Sequence, residues 1–216
     1  MDLSIERCED ATTYSDPSYG SVTFLTRGEQ VIITIETLRT KMRPVEATEA
    51  DYADYFSLFN DPVVVERYLE GKPLSMENIQ KRINTVWAKR WTEEKDPYSA
   101  FKILDKKTGA FVGHGVLGHG DRPGQAEGAG LLKRDVWGQG YGTELANVFL
   151  KVYVPALIQE GYGVEGKPLD QITATVRLDN PASKRIMEKL GLKMVEEAEL
   201  YGATRYRFAL DILDVA

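Results

Sequence analysis

Three alternate glycines, Gly138, Gly140 and Gly142, stand in the run Trp137-Gly138-Gln139-Gly140-Tyr141-Gly142, just ahead of a long apolar segment. Alternate glycines let a turn expose consecutive backbone N–H groups, and a helix starting there adds the partial positive charge of its N-terminus. A phosphate or pyrophosphate is stabilised at such a place without a lysine. The same glycines also suit a tight turn that serves only packing, so the cluster by itself leaves both uses open. Two nucleotide motifs fail on their letters. A dinucleotide fingerprint needs a glycine three residues after Gly140, where Thr143 stands. The run Gly161-Tyr162-Gly163-Val164-Glu165-Gly166-Lys167 approaches a P-loop, but Pro168 follows where a magnesium-binding Ser or Thr is needed, so it reads as a helix end and a loop. His114 and His119 flank a glycine-rich strand end with an intrinsic pKa suited to proton transfer; a core or surface histidine is the alternative.

The elements that must position these residues follow from periodicity. Residues 138–142 open a helix whose Leu145, Ala146, Val148, Phe149, Leu150, Val152, Tyr153, Ala156 and Leu157 are apolar almost all round, which demands deep burial. Before it, residues 98–104 and 110–117 read as a β-hairpin, and residues 125–133 as a strand whose Gly128 and Gly130 suggest a bulge or a close backbone approach. Thr48 caps a helix carrying Tyr52, Tyr55, Phe56 and Phe59 on one face, and Ser75 caps a longer one reaching about Trp91. The aromatic face can line a pocket or fill the core, and core is the stronger reading. Asn60-Asp61-Pro62 is a turn followed by a short helix through Tyr68, a strand spans residues 36–43, and another spans 172–176. Asn180-Pro181 caps a helix to Leu190, and two strands, 192–198 and 204–212, close the chain. The order implies an α+β fold with a mixed sheet.

Residues 1–35 stand apart: Asp2, Glu6, Glu9, Asp10, Asp16 and Glu29 face only Arg7 and Arg27, so most of the chain's net charge of −6 lies there. Residues 12–20 look like loop, and residues 21–25 and 30–35 like a hairpin turning at Arg27-Gly28, an acidic extension packed on a main domain of residues 36–216. With 216 residues, 43% hydrophobic and 28% charged, the chain is of ordinary globular make-up, one domain or at most two small ones. The acidic balance disfavours nucleic acid. Cys8 alone excludes an internal disulfide and a cysteine zinc site, and two histidines leave little for a metal. The first residues lack the basic start and apolar run of a secretory signal, and no stretch approaches membrane-spanning length, so a cytoplasmic, metal-free protein without a membrane partner is expected.

The run Trp137-Gly138-Gln139-Gly140-Tyr141-Gly142-Thr143-Glu144 resembles the acyl-CoA pyrophosphate loop of the GNAT N-acetyltransferases. Its leading tryptophan, where most such families carry Gln or Arg, resembles the RimJ/RimL branch. Glu36-Thr37-Leu38-Arg39-Thr40-Lys41-Met42-Arg43-Pro44 looks like that branch's first strand, and Ala126-Glu127 stands at the family's spacing before Trp137. Asn180-Pro181-Ala182-Ser183-Lys184-Arg185-Ile186-Met187-Glu188-Lys189-Leu190-Gly191-Leu192 is similar to its second CoA-binding segment. The resemblance spans about residues 36–212.

What it implies is a mostly antiparallel mixed sheet with flanking helices and acetyl-CoA in a cleft where two strands splay. The pantetheine arm would pair with Leu131, Leu132 and Lys133 like an added strand. The pyrophosphate would sit after Trp137 on the amides of Gly138, Gln139, Gly140, Tyr141, Gly142 and Thr143. Asn180, Ser183 and Arg185 would touch the cofactor's far side, a role compatible with Asn180 as a helix cap. Amine acetylation needs a neutral amine, donors for the carbonyl oxygen as it gains charge, and a proton for the departing thiolate. By resemblance Glu127 is the base, acting through a water, against a plain surface or salt-bridging glutamate. A backbone N–H of a bulged strand near Leu131 serves the oxygen. The family's acid is often a tyrosine where Met187 stands here, so Ser183 is the remaining donor, and Tyr201, beside a turn, is a weaker one. The implied activity is direct acetyl transfer to a primary amine: a protein N-terminus, a polyamine, an aminoglycoside or another small amine. Gly128-Ala129-Gly130, in place of bulkier family residues, implies a wider acceptor side. The acidic extension would cover that side and attract a cation, or be a solvated appendage, or form a homodimer contact. The rival is a non-catalytic acyl-CoA-binding sensor or interaction module.

Overall fold

The computed structural model describes residues 3–212. Among them, one sheet of eleven strands runs in the order β1-β2-β3-β4-β5-β6-β7-β8-β11-β13-β12. Its first strands are β1 (Ser4–Cys8), β2 (Ala11–Asp16), β3 (Gly20–Arg27), β4 (Gln30–Glu36) and β5 (Thr40–Pro44), each antiparallel to the next. Strands β6 (Ala100–Asp105), β7 (Phe111–His119) and β8 (Gln125–Leu132) continue that meander. After a detached hairpin of β9 (Gly163–Val164) and β10 (Lys167–Pro168), β11 (Gln171–Arg177) joins parallel to β8, and β12 (Lys193–Leu200) and β13 (Ala203–Asp211) finish the sheet antiparallel. The fold is α+β with a mixed, mostly antiparallel sheet flanked by helices.

The N-terminal segment differs from the expected loop and hairpin. Residues 11–16 form β2, paired to β3 from Ala11↔Leu25 to Asp16↔Gly20, and the hairpin β3-β4 continues directly into β5. Alternation explains it: Tyr14, Val22, Phe24, Ile33 and Ile35 all enter the main core, where the polar residues between them had disguised the pattern. These strands extend the sheet edge remote from β11, so they do not cover the region where β8 meets β11. The expected single strand over residues 36–43 is broken by a turn in which the Thr37 N–H donates to the Thr40 carbonyl.

Helices coat both faces. On one lie α4 (Tyr141–Val148), a π turn at Phe149–Tyr153 and α5 (Val154–Gln159), a continuous helical run whose Val148, Val152, Tyr153, Ala156 and Leu157 are fully or almost fully buried, as their all-round apolarity requires. On the other lie α1 (Glu49–Phe59), α2 (Pro62–Val65) and α3 (Met76–Arg82), the last extended by π turns at Ile83–Trp87 and Arg90–Glu94. Thr48 caps α1 by accepting from the Asp51 N–H, and Ser75 caps α3 from the Asn78 N–H. The start of α1 is pinned to the sheet by Asp51, a fully buried carboxylate that accepts from Arg43 Nη2 at 2.6 Å, Lys102 Nζ at 2.8 Å and the Glu46 N–H at 2.8 Å. Burial opposes its charge, but the bonds from Arg43 and Lys102 win and hold its pKa below the usual carboxylate range. The last helix, α6 (Pro181–Lys189), returns beside α4.

Candidate active site

Strands β8 and β11 pair only at Gln125↔Gln171, Ala126↔Ile172 and Glu127↔Thr173. Past that point β8 stays paired to β7 through Leu132, and β11 stays paired to β13 through Arg177, so the two strands part into a cleft. The β8 ladder has no register shift against β7, so the expected bulge near Leu131 is absent; the shift lies between β6 and β7, at Ile103/Leu104. The Gly120 N–H donates to the Gln125 carbonyl at one end of this pairing and the Lys133 N–H to the Val112 carbonyl at the other. Odd-numbered positions therefore direct their backbone groups at β7, and Ala126, Gly128, Gly130 and Leu132 direct theirs at β11 and the cleft. Of the three residues expected to offer backbone groups there, Leu132 faces the cleft, while Leu131 and Lys133 are turned toward β7. The Leu132 carbonyl already accepts from Trp137 Nε1 at 2.7 Å. A Cβ at Gly128 would meet only the Thr173 carbonyl oxygen, at 3.9 Å, so crowding does not demand glycine there; its absence of side chain leaves the strand edge bare.

The loop after β8 carries the glycine cluster to the cleft's end. Gly138 (φ 72°) and Gly140 (φ 83°) occupy the left-handed region, which only glycine enters without strain, and Gly140 is the N-cap of α4 with no side chain capping the first turn. The first N–H groups of α4 are thus left for an external acceptor. Gly142 has a different reason: a Cβ there would lie 3.1 Å from Ile186 Cδ1, so glycine lets α6 close onto α4. Arg39, in the turn before β5, braces the loop from behind. Its Nη1 donates to the Gln139 carbonyl at 2.9 Å, its Nε to Glu144 Oε2 at 2.6 Å, and its guanidinium lies 3.9 Å from the Tyr141 ring centroid. Burial works against the Glu144 charge, but hydrogen bonds from Thr37 and Arg39 hold its pKa below the usual range. In the sequence Arg39 reads only as part of a strand; nothing in its spacing signals this brace.

On the opposite face, Glu127, Ala129 and Leu131 alternate along β8, with Gly118, Val116 and His114 opposite them on β7. Glu127 sits at the point of parting. Burial raises its pKa, the Asp121 charge adds to that, and Arg207, Arg205 and a hydrogen bond from Thr175 restrain it. Tyr68 and Tyr201 both feel the Glu127 charge, and burial pushes the Tyr68 phenol up to about 12. Arg205, buried on β13, donates to the Leu69 and Leu200 carbonyls, and Arg177 donates to the Glu66 carbonyl, so the segment after α2 is tied to the strands beside Glu127. A carboxyl whose proton affinity burial raises, beside phenols and arginines in a cleft, is equipped to accept a proton from a bound group.

Asn180 caps α6 through Oδ1, which accepts from the Ser183 N–H at 3.2 Å, so Asn180 has a structural task. Ser183 is half-buried in that first turn, whereas Arg185 is exposed and its Nε donates to the Pro181 carbonyl. His114 is fully buried, and burial drives its pKa down to about 3, so it is a neutral core residue; His119 is held by Asp96 Oδ2 at 2.7 Å. Tyr68 was legible only as the end of a short helix, because the segments that bring it to Glu127 are distant in the chain. Among the described residues no group of three or more His, Cys, Asp or Glu is placed to hold a metal, and no helix is long and apolar enough to cross a membrane.

Comparison with known proteins places these features in context. Residues 39–193 match the family model described as acetyltransferase (GNAT) domain. An uncharacterized protein of Bacillus subtilis, YkkB, is 29% identical over 167 residues, 72% of this chain and 83% of that protein. Among solved structures, a GNAT-family acetyltransferase from Bacillus anthracis superposes with a TM-score of 0.64 at 20% identity, over 82% of this chain and 98% of that one. Spermidine N-acetyltransferase from Vibrio cholerae, in complex with CoA and spermine, gives a TM-score of 0.61 at 16% identity, over 80% of this chain and 95% of that one. At such identities the structural likeness is one of fold.

Proposed function

The chain belongs to the GNAT acetyltransferase family, and from that premise we propose that it transfers acetyl from acetyl-CoA directly to the primary amine of a polyamine or other small cationic acceptor. The observation that carries the reading is the parting of β8 from β11 just past Glu127, with the uncapped start of α4 at the cleft's end. The residues fit acetyl-CoA: two left-handed glycines present the free N–H groups of α4, and the β8 edge at Gly128 and Gly130 offers unshielded backbone groups. Leu132, Trp137 and the loop from Gly138 to Thr143 would hold the cofactor on one side, with Asn180, Ser183 and Arg185 on the other. The cofactor supplies an acetyl group activated as a thioester.

The rest falls to this chain's own groups. Glu127 takes the proton of the amine, through a water, and its raised proton affinity keeps it matched to that task. The N–H of Gly130 or Leu132, aimed into the cleft, receives the carbonyl oxygen as it gains charge. The Ser183 hydroxyl is the donor to the departing thiolate, since Met187 has no proton to give. A polyamine is taken as the acceptor because Glu127 offers a cationic amine a carboxylate where the strands part, while Asp121 is already paired with Arg207, and the spermidine acetyltransferase likeness is consistent with that choice. Trp137 at the head of the loop supports assignment to the RimJ/RimL-like branch.

A thermal-shift titration with acetyl-CoA, CoA, NAD and ATP, followed by release of free CoA over an amine panel, tests the reading. At a ligand concentration about 100 times the dissociation constant the native state gains roughly 2.7 kcal/mol, a rise of several degrees for a chain of this size. The expected result is a shift with acetyl-CoA and CoA but not NAD, and turnover with spermidine. No shift with either CoA species would remove the cofactor site; a shift without turnover on any amine would favour a non-catalytic acyl-CoA-binding module.

A further inference from the structure

Behind Glu127, a chain of side chains leads into the core that acid–base chemistry at the cleft does not itself require. His114, on β7, is fully buried between four aromatic rings, with centroids at 4.8 Å for Trp87, 5.5 Å for Phe59 and Tyr55, and 6.3 Å for Tyr68. Both ring nitrogens nevertheless have partners. Nδ1 lies 3.2 Å from the Tyr55 hydroxyl and Nε2 lies 3.5 Å from the Tyr68 hydroxyl, while the Tyr55 hydroxyl lies 3.2 Å from the Phe101 carbonyl oxygen.

A neutral imidazole carries one N–H, and each phenol has one proton to give. Only one assignment makes all three bonds at once. Tyr55 donates to the Phe101 carbonyl, His114 Nδ1–H donates to the Tyr55 oxygen, and Nε2 then accepts from the Tyr68 hydroxyl. The reverse tautomer would turn the Tyr55 proton to Nδ1 and leave the carbonyl contact without a hydrogen. Burial keeps His114 neutral, so the arrangement is not disturbed by protonation at working pH.

We propose that Tyr55 and His114 are positioning residues that hold the Tyr68 proton inward, so that the Tyr68 oxygen presents only lone pairs to the cleft and accepts an N–H of the amine substrate. Tyr68 is half-buried, within electrostatic reach of Glu127 and Tyr201, and carried by the segment that Arg205 and Arg177 tie to the strands of the cleft. A fixed acceptor there orients the nitrogen before Glu127 removes its proton, and it discriminates against alcohols, which have one hydrogen to share where a primary amine has two or three. The inference rests on the acetyltransferase reading and adds to it the group that recognises the amine.

The tautomer is read directly from two-bond ¹⁵N–¹H correlation of the imidazoles in the full-length protein. Only two histidines are present, and His119→Asn assigns the spectrum. An Nδ1–H tautomer for His114, unchanged between pH 5.5 and 8, is expected; an Nε2–H tautomer or a titrating ring overturns the inference. Kinetics with spermidine then supply the second readout. Tyr68→Phe is expected to raise the amine KM about tenfold, the worth of one hydrogen bond to a charged or polar partner, with the acetyl-CoA KM unchanged. Tyr55→Phe, which keeps the ring packing but frees the tautomer, should raise the amine KM in the same direction by a smaller factor. An unchanged amine KM in Tyr68→Phe, or equal rises in both KM values, overturns the assignment. Failure of the wild-type protein to acetylate any amine would instead sink the acetyltransferase reading, and that outcome is separable because the tautomer is measured without turnover.

Discussion

The two sides of the cleft are built in different ways. The proposed cofactor side is almost contiguous: Trp137 through Gly140 form one loop running into the first turn of α4, and its conformation is dictated locally by glycines at positive φ and a helix that begins with its N–H groups free. The proposed acceptor side is assembled from β8, β7, α1, the segment after α2, and β13, which contribute Glu127, His114, Tyr55, Tyr68 and Arg205 from positions far apart in the chain. A site for a constant ligand can thus be encoded in a short run of backbone, where few side chains are needed. A site for a variable ligand draws on side chains that only packing brings together.

Three changes test that division, beginning with the one of largest effect. Glu127→Gln should lower kcat on an amine substrate by about 100-fold or more while leaving acetyl-CoA binding intact, the usual scale for losing a positioned base. Because burial raises the Glu127 pKa, the wild-type rate should climb with pH through a value above the ordinary carboxylate range, and the glutamine variant should lose that limb. Equal turnover in the variant would remove Glu127 from the chemistry, and a weaker thermal shift with CoA would move it to the cofactor side.

Gly140→Ala should act on the other side. Forcing an alanine to φ 83° costs roughly 1–2 kcal/mol, so the acetyl-CoA KM should rise by about tenfold or the loop should shift, with the amine KM unchanged in steady-state kinetics. The smallest effect concerns stability. With His114 near 3 when folded and about 6.5 when unfolded, the unfolded chain binds the extra proton between those values. Stability is therefore lost as pH falls below about 6.5. Urea unfolding across pH 4 to 6 should show His114→Phe less acid-sensitive than wild type, by up to about 1.4 kcal/mol per pH unit, the slope of one proton.

How much was legible follows from the same division. The periodic segments were readable because their burial pattern repeats in the letters: the helix from Tyr141, the caps at Thr48 and Ser75, the strands 125–132 and 171–177, and the Asn180 cap all lie where local signals put them. The strand at residues 11–16 was hidden because Thr12, Thr13, Ser15 and Asp16 look like loop, and only the pairing with β3 and the burial of Tyr14 make it a strand. The bulge inferred from Gly128 and Gly130 was misplaced, since glycine marks permission for an irregularity and not its presence.

The α+β class and the glycine loop could be read from the letters alone because each rests on periodicity or local conformation, while the carboxylate before Trp137 is singled out only by the family resemblance. Tertiary structure alone decided which β8 backbone groups face the cleft, that Arg39 braces the loop, and that His114 is a neutral core residue linked to Tyr68. Those outcomes depend on which distant side chains share a buried space, and burial is what sets their protonation and the direction of their hydrogen bonds.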